Sequence, residues 1–288
     1  MTEYEYKKSV KSRLSDELIN TYVLRPIAGV VVAILYRSPV TPNQVTIAST
    51  IAGLIAAALY LQNDAAITAA AGMMVTVKDV LDSADGQLAR AKAQYSRTGR
   101  FLDSIGDFIV DAAVFAAIGW VLFRSTGDPW MLLLAAMGLA GITLRVSYHV
   151  FYQTSFLHLE HQYQVNRVSE EMTAEDLQGD RMALSLQRIF LLIYGWQDRL
   201  MLRIDAWCRR GVSDEVFLLR WYSDPAGLRL SGLIGIGTEL FLLMLCSIFN
   251  ALQLYLELNV LLMNLILTVS IIYRRSILFS SLVQKGSP

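Results

Sequence analysis

Histidine and cysteine are almost missing from this chain, at three and two in 288 residues. The cysteines, Cys208 and Cys246, share no CxxC spacing and have no companions for a zinc site. A disulfide framework and thiolate metal chemistry are therefore not expected, and both read as packing or surface thiols. His149, His158 and His161 are too scattered to form a metal site together, so packing or surface roles are expected. Charge is scarce as well. Only 17% of residues are Asp, Glu, Lys or Arg, with 25 of each sign, and no basic tract with interleaved aromatics occurs. A nucleic-acid partner is accordingly not expected. The opening MTEYEYKKSVKSRLSDELIN is charged and lacks an apolar core of signal-peptide type, so no cleaved leader is expected.

What the chain has in quantity is apolar sequence: 54% of residues are hydrophobic and the mean hydropathy is +0.42. That is too apolar for an ordinary soluble domain and reads as an integral membrane protein. A bilayer-crossing helix needs about 20 largely apolar residues. Such stretches lie near 41–62, 65–90, 99–123, 129–153, 230–256 and 259–283. They predict an all-α fold, a bundle of six membrane helices. Ahead of them, residues 19–37 are apolar but carry Arg25-Pro26 near their start, which suits an amphipathic surface helix, with a seventh span as the alternative. With the N-terminus in the cytoplasm, the outer connections become QNDA, RSTGDP and LELN, of which Arg124 is the only basic residue. The positive-inside rule then places both termini on the cytoplasmic side. In this division, residues 1–154 hold the surface helix and four spans, 155–229 form a cytoplasmic helical insert, and 230–288 hold the last two spans. Within the insert, RIFLLIYGWQDRLMLRIDAWCRR has apolar residues at helical spacing, as expected of an amphipathic helix docked on protein or headgroups.

One stretch conflicts with the apolar background: DSADGQLARAKAQYSRTGRFLDSIGD, residues 82–107. A carboxylate facing lipid costs several kcal/mol, so these aspartates must face a polar cavity or a cation. Asp82 and Asp85 stand three apart and Asp103 and Asp107 four apart, so each pair shares one face of its helix. On antiparallel neighbours joined by a short loop, the two acidic faces can meet. Carboxylates so crowded repel, and hard divalent cations with oxygen ligands relieve the repulsion; Mg2+ or Mn2+ suits an all-carboxylate set better than zinc. Two ions would also suit the two sides of a phosphoryl displacement. Gly86 and Gly99 would let a bulky anion approach the backbone, and Arg90 can hold a phosphate bidentately. The competing interpretation makes each aspartate an interfacial residue or a partner of Arg90, Arg97 or Arg100.

Written out, Asp82-x2-Asp85-Gly86-x2-Ala89-Arg90-x8-Gly99-x3-Asp103-x3-Asp107 resembles the complete signature of the CDP-alcohol phosphotransferase family. TPNQVT, residues 41–46, and the preceding LRPIA are similar to the first-span start and surface helix of its members. The resemblance implies a six-helix membrane enzyme, a homodimer with a cytoplasm-facing cavity. It would transfer a substituted phosphate from a CDP-linked donor to a hydroxyl acceptor, one of the two a lipid, and release CMP. By position it implies Asp82, Asp85, Asp103 and Asp107 as ligands of two Mg2+ or Mn2+ ions, with Asp107 also taking the acceptor proton. Gly86, Arg90 and Gly99, with Asn43 and Thr46, would hold the CDP moiety. The signature reads the shared CDP part and leaves open CDP-diacylglycerol or a soluble CDP-alcohol as donor, and an inositol-phosphate-type acceptor among others.

Phe108 stands where many relatives carry a basic residue, which bears on any acceptor phosphate. Arg145, Arg274 and Arg275 lie inside spans and are candidates for acceptor or headgroup contacts; the last two can instead snorkel to the interface. Asp111 extends the acidic stripe one turn and reads as a packing or supporting residue. YGWQDRL, residues 194–200, reads first as a surface-helix anchor, with Asp198 paired to Arg199 or Arg203, and second as a cap over the cavity. A function of a different class, a cation-coupled transporter using the acidic stripe, would show inverted repeats, and none is visible in the sequence.

Overall fold

Lipid offers no partner to a backbone amide, so an apolar chain that crosses it closes its hydrogen bonds within helices. The computed structural model describes residues 4, 6, 14–159, 170, 172 and 181–286, and no strand occurs among them. Helix α1 spans Asn20–Leu35, α2 Pro42–Tyr60, α3 Ala65–Ala91, α4 Arg97–Thr126 and α5 Trp130–Leu159. Helix α6 spans Arg181–Cys208, α7 Glu215–Tyr222, α8 Pro225–Ile248 with a turn at 233–235, and α9 Leu252–Lys285. Five of them, α2, α4, α5, α8 and α9, are long and apolar enough to cross a membrane. The chain is a multi-pass integral membrane protein with an all-helical fold. At 27 residues α3 has the length of a span, and the charges from Lys78 to Asp85 set it apart.

Local sequence fixes the helix starts. Thr41 accepts from the Gln44 amide while the Gln44 side chain accepts from Thr41 N, a capping box followed by Pro42 in the first turn. Asp64 caps α3 by accepting from the Ile67 amide, and Ser96 caps α4 by accepting from the Gly99 amide. The short loop between α3 and α4 is fastened by Lys92, whose ammonium donates to the carbonyls of Ser38 at 2.8 Å and Val40 at 2.7 Å. This tie locks the α3–α4 hairpin to the start of α2.

The core joins α2, α3, α4, α5, α8 and α9 through side chains such as Ala56, Tyr60, Val75, Val114, Ile118, Ile142, Leu243 and Tyr255. Between α2 and α4 the approach is close because glycines face bulk. A methyl group on Gly53 would overlap Val110, and one on Gly106 would overlap Thr50. Small residues let membrane helices approach this closely, and here they bring α2 against the acidic face of α4.

Two boundaries differ from expectation. The last connection lies at 249–251 and not at LELN, because Asn250 adopts a left-handed φ of 52° and ends α8 there. Asn259, expected in the loop, is buried inside α9 and donates to Glu239 at 2.8 Å. The second difference is that α5 continues to Leu159, so the first residues of the expected insert extend the fourth span. Residues 160–169, 171 and 173–180 of that insert, with His161, lie outside the described residues.

The described part of the insert docks on protein. Phe190 of α6 packs on Phe101 with ring centroids 5.1 Å apart, and Tyr194 donates to the Ser104 carbonyl at 2.8 Å. Asp205, fully buried, accepts from Tyr152, Trp221 and Tyr222, and from Arg209 at 2.7 Å, tying α6 to α5 and α7. Within YGWQDRL, Tyr194 and Gln197 thus face inward while Trp196 is exposed. Burial raises the Asp198 carboxyl to about 6; the charge of Glu170 adds to the shift, and Arg100 and Arg199 oppose it. A carboxyl raised by folding favours the folded state only while protonated, so this contribution is lost as pH rises from the ordinary value through about 6. Asp198→Asn is therefore expected to raise Tm relative to the parent at pH 8 and to leave it unchanged at pH 4, as read by thermal unfolding in detergent. An equal shift at both pH values would remove Asp198 as the cause.

Candidate active site

Because α3 and α4 are antiparallel neighbours joined by a short loop, residues on their facing stripes meet in pairs. Asp82 and Asp85 from α3 and Asp103 from α4 place one carboxylate oxygen each within 4.8 Å of one another. Asp82 is the junction, since it belongs to this group and also lies 3.9 Å from the Lys78 ammonium that bonds Asp107. Asp85 is buried and accepts a hydrogen bond from Thr46 of α2, which fixes its carboxylate. Asp103 Oδ1 is buried and has no donor. An acceptor-only group left in that state costs about 1–3 kcal/mol or more, so the arrangement calls for a cation. Three converging carboxylates with an orphaned oxygen and no nitrogen or sulfur donor fit a hard divalent ion such as Mg2+ or Mn2+.

The remaining signature residues border this cluster. The Asn43 side chain stands against Gly99, where a Cβ would overlap its amide oxygen. Gly99 N is held by the Ser96 cap, so the first turn of α4 presents bare backbone beside Asn43. Gly86 lies under the guanidinium of Arg90, which a Cβ would meet at 3.4 Å. A helix N-terminus, two glycines and an arginine form the kind of surface that takes a diphosphate. Gln87 ties α3 to α1 by donating to the Arg25 carbonyl at 3.1 Å.

Asp107 is held differently. It does not join the group of three; its Oδ1 bonds the ammonium of Lys78, a side chain 1% exposed that also lies 3.9 Å from Asp82. The sequence carries a signal for this residue: Lys78 sits four positions before Asp82 in an apolar stretch, hence on the same helix face. Phe108 meets Tyr194 edge-on at 6.5 Å, so the insert helix covers the flank of α4 beside Asp107.

The three intramembrane arginines each bond partners other than the carboxylate group. Arg145, fully buried, donates to Glu239 at 2.6 Å and to Asn264 at 2.7 Å. Arg274 is also fully buried, 3.6 Å from the centre of the Tyr152 ring, and donates to the Trp221 carbonyl. Arg275 stacks on Trp207 at 3.6 Å and donates to its carbonyl. His149 is buried with Nε2 3.9 Å from Glu17, and the two cysteines are buried thiols outside any disulfide, Cys208 donating to the Ile271 carbonyl.

The model of the CDP-alcohol phosphatidyltransferase family matches residues 39–207, more than half of the chain and the whole of the α3–α4 site. The chain is similar to the "Bifunctional IPC transferase and DIPP synthase" of Thermococcus kodakarensis, 31% identical over 123 residues, 43% of this chain and 27% of that protein. It is 41% identical over 80 residues, 27% of this chain and 40% of the relative, to the "Archaetidylinositol phosphate synthase" of Pyrococcus horikoshii. Over 103 residues, 36% of this chain and 46% of the relative, it is 32% identical to the "Phosphatidylinositol phosphate synthase" of Mycobacteroides abscessus. In each case the match spans less than half of the relative's length.

Proposed function

The chain belongs to the CDP-alcohol phosphatidyltransferase family, and we propose that it transfers a substituted phosphate from a CDP-linked lipid to the hydroxyl of an inositol-phosphate-type acceptor, releasing CMP, in phospholipid synthesis. The observation that carries the proposal is the convergence of Asp82, Asp85 and Asp103 around an oxygen that lacks a donor. The acceptor class is supported by the relatives named archaetidylinositol phosphate synthase and phosphatidylinositol phosphate synthase.

In this scheme Asp82, Asp85 and Asp103 hold the divalent ion, and Thr46 keeps Asp85 in position through its hydroxyl. The ion, when bound, neutralises the diphosphate and stabilises the charge that develops on it. Arg90 pairs with a diphosphate oxygen, while Gly86 and Gly99 admit the nucleotide against the backbone beside Asn43. Asp107 accepts the proton of the acceptor hydroxyl as its oxygen bonds to the β-phosphorus and the bond to CMP breaks. No covalent enzyme intermediate is required. The distribution of basic residues supports a site on the cytoplasmic side.

The test is CMP release by purified protein given CDP-diacylglycerol with inositol phosphate, glycerol phosphate or serine, and, separately, soluble CDP-alcohols with diacylglycerol. Metal-dependent CMP with CDP-diacylglycerol and inositol phosphate is expected, abolished by EDTA and restored by Mg2+ or Mn2+. CMP with another acceptor would keep the chemistry and replace the acceptor. No CMP from folded protein that also fails to bind CDP would overturn the proposal.

A further inference from the structure

The facing stretches 78–85 and 103–111 carry six aspartates and a single cation, Lys78. A lysine in a membrane helix usually stretches its stem to carry the ammonium to water, yet this side chain is 1% exposed and ends on Asp107. Its backbone is fixed as well, since the Lys78 carbonyl accepts from Ser49 of α2 at 2.9 Å. The four signature carboxylates therefore divide into two sets that share Asp82. On one side Asp82, Asp85 and Asp103 face one another around an oxygen with no donor. On the other side Asp82 and Asp107 already have a cation, because the ammonium bonds Asp107 and lies 3.9 Å from Asp82. A dication bound at Asp107 would face that ammonium at a few ångströms, where like charges in a poorly solvated site repel strongly.

We propose that Lys78 is a positioning residue whose ammonium takes the place of a second divalent ion on the Asp82–Asp107 edge, so that the chain binds one metal and Asp107 is kept for proton transfer. The inference rests on the assignment of Asp82, Asp85 and Asp103 as metal ligands, and it adds to that assignment the number of ions and the partner of Asp107. Lys78 acts through Asp107 and touches no reacting atom, so its removal shows in the metal count as well as in the rate.

The experiment is a Mn2+ titration of the purified full chain in detergent, with free Mn2+ read by its paramagnetic resonance signal and with no substrate present. The parent is expected to saturate at one ion, a measurement that needs no variant to fold. Lys78→Met is expected to bind a second ion and to lose turnover by about 10- to 100-fold, as for other residues that orient a metal site from outside it, while Lys78→Arg stays at one ion. Asp107→Asn is expected to leave Mn2+ affinity within about threefold, whereas loss of a true ligand costs about tenfold or more. Two ions on the parent, one ion on folded Lys78→Met, or a tenfold loss in Asp107→Asn would each overturn the inference and leave the ligand assignment standing. Asp103→Asn separates the two claims: unchanged Mn2+ binding in that variant would defeat the ligand assignment itself, and this inference with it.

Discussion

Asp107→Asn is expected to lower CMP release by about 10²–10⁴-fold, the loss typical of removing a positioned proton acceptor. On a barrier scale this is about 2.7–5.4 kcal/mol. The substitution preserves shape and hydrogen bonding but removes the basicity that the acceptor hydroxyl needs. It also takes from Lys78 its bonded anion, and Asp82, 3.9 Å away, remains as the nearby counter-charge. The fold is therefore expected to persist, which Mn2+ binding and thermal unfolding in detergent would both report. The decisive comparison is the initial rate of CMP release at saturating donor and metal. Turnover within threefold of the parent would mean that another group takes the proton, and Asp107 would then serve only as the partner of Lys78.

The second large effect lies away from the carboxylate group. Arg145 and Glu239 are both fully buried, and Glu239 also accepts from Asn259 while Arg145 reaches Asn264. Four polar side chains thereby link α5, α8 and α9 inside the bundle. Gly141 makes the room, since a Cβ there would overlap the Arg145 guanidinium. Removing one member of a buried ion pair strands the other, at about 3–5 kcal/mol. Arg145→Met is expected to lower stability by that amount, Glu239→Leu comparably, and the double variant Arg145→Met/Glu239→Leu by much less than the sum, because no unpaired charge remains. Unfolding followed by tryptophan fluorescence in detergent measures all three. If Arg145→Met instead unfolds with the parent but loses turnover, the guanidinium serves the acceptor and not the fold.

The contrast between Asp107 and Arg145 shows what kind of information the sequence carries. Both are ionisable residues in apolar stretches, and hydropathy treats them alike. The aspartates come with spacing: three and four residues along a helix put side chains on one face, and a short loop turns that face toward its neighbour. Arg145 has no such company, because its partners are 94 and 119 residues away. Lys78 falls between these cases. Its position four before Asp82 was legible, but its bond to Asp107 crosses from α3 to α4. Asn259 was misplaced for a related reason, since a polar residue at a hydropathy minimum looks like a loop until Glu239 supplies it with a buried partner.

By itself the sequence determined the all-helical membrane class, the helix starts through Thr41, Asp64 and Ser96, and the residues of the acidic signature, because each rests on composition or on neighbours within a turn or two. Only the tertiary structure decided how those residues divide. It grouped Asp82 and Asp85 with Asp103, gave Asp107 to Lys78, placed Thr46 behind Asp85, laid Tyr194 of the insert beside Phe108, and committed Arg145 to Glu239. Each of these is a contact between helices, and the covalent chain sets the face on which a side chain lies while packing across the bundle sets what it meets.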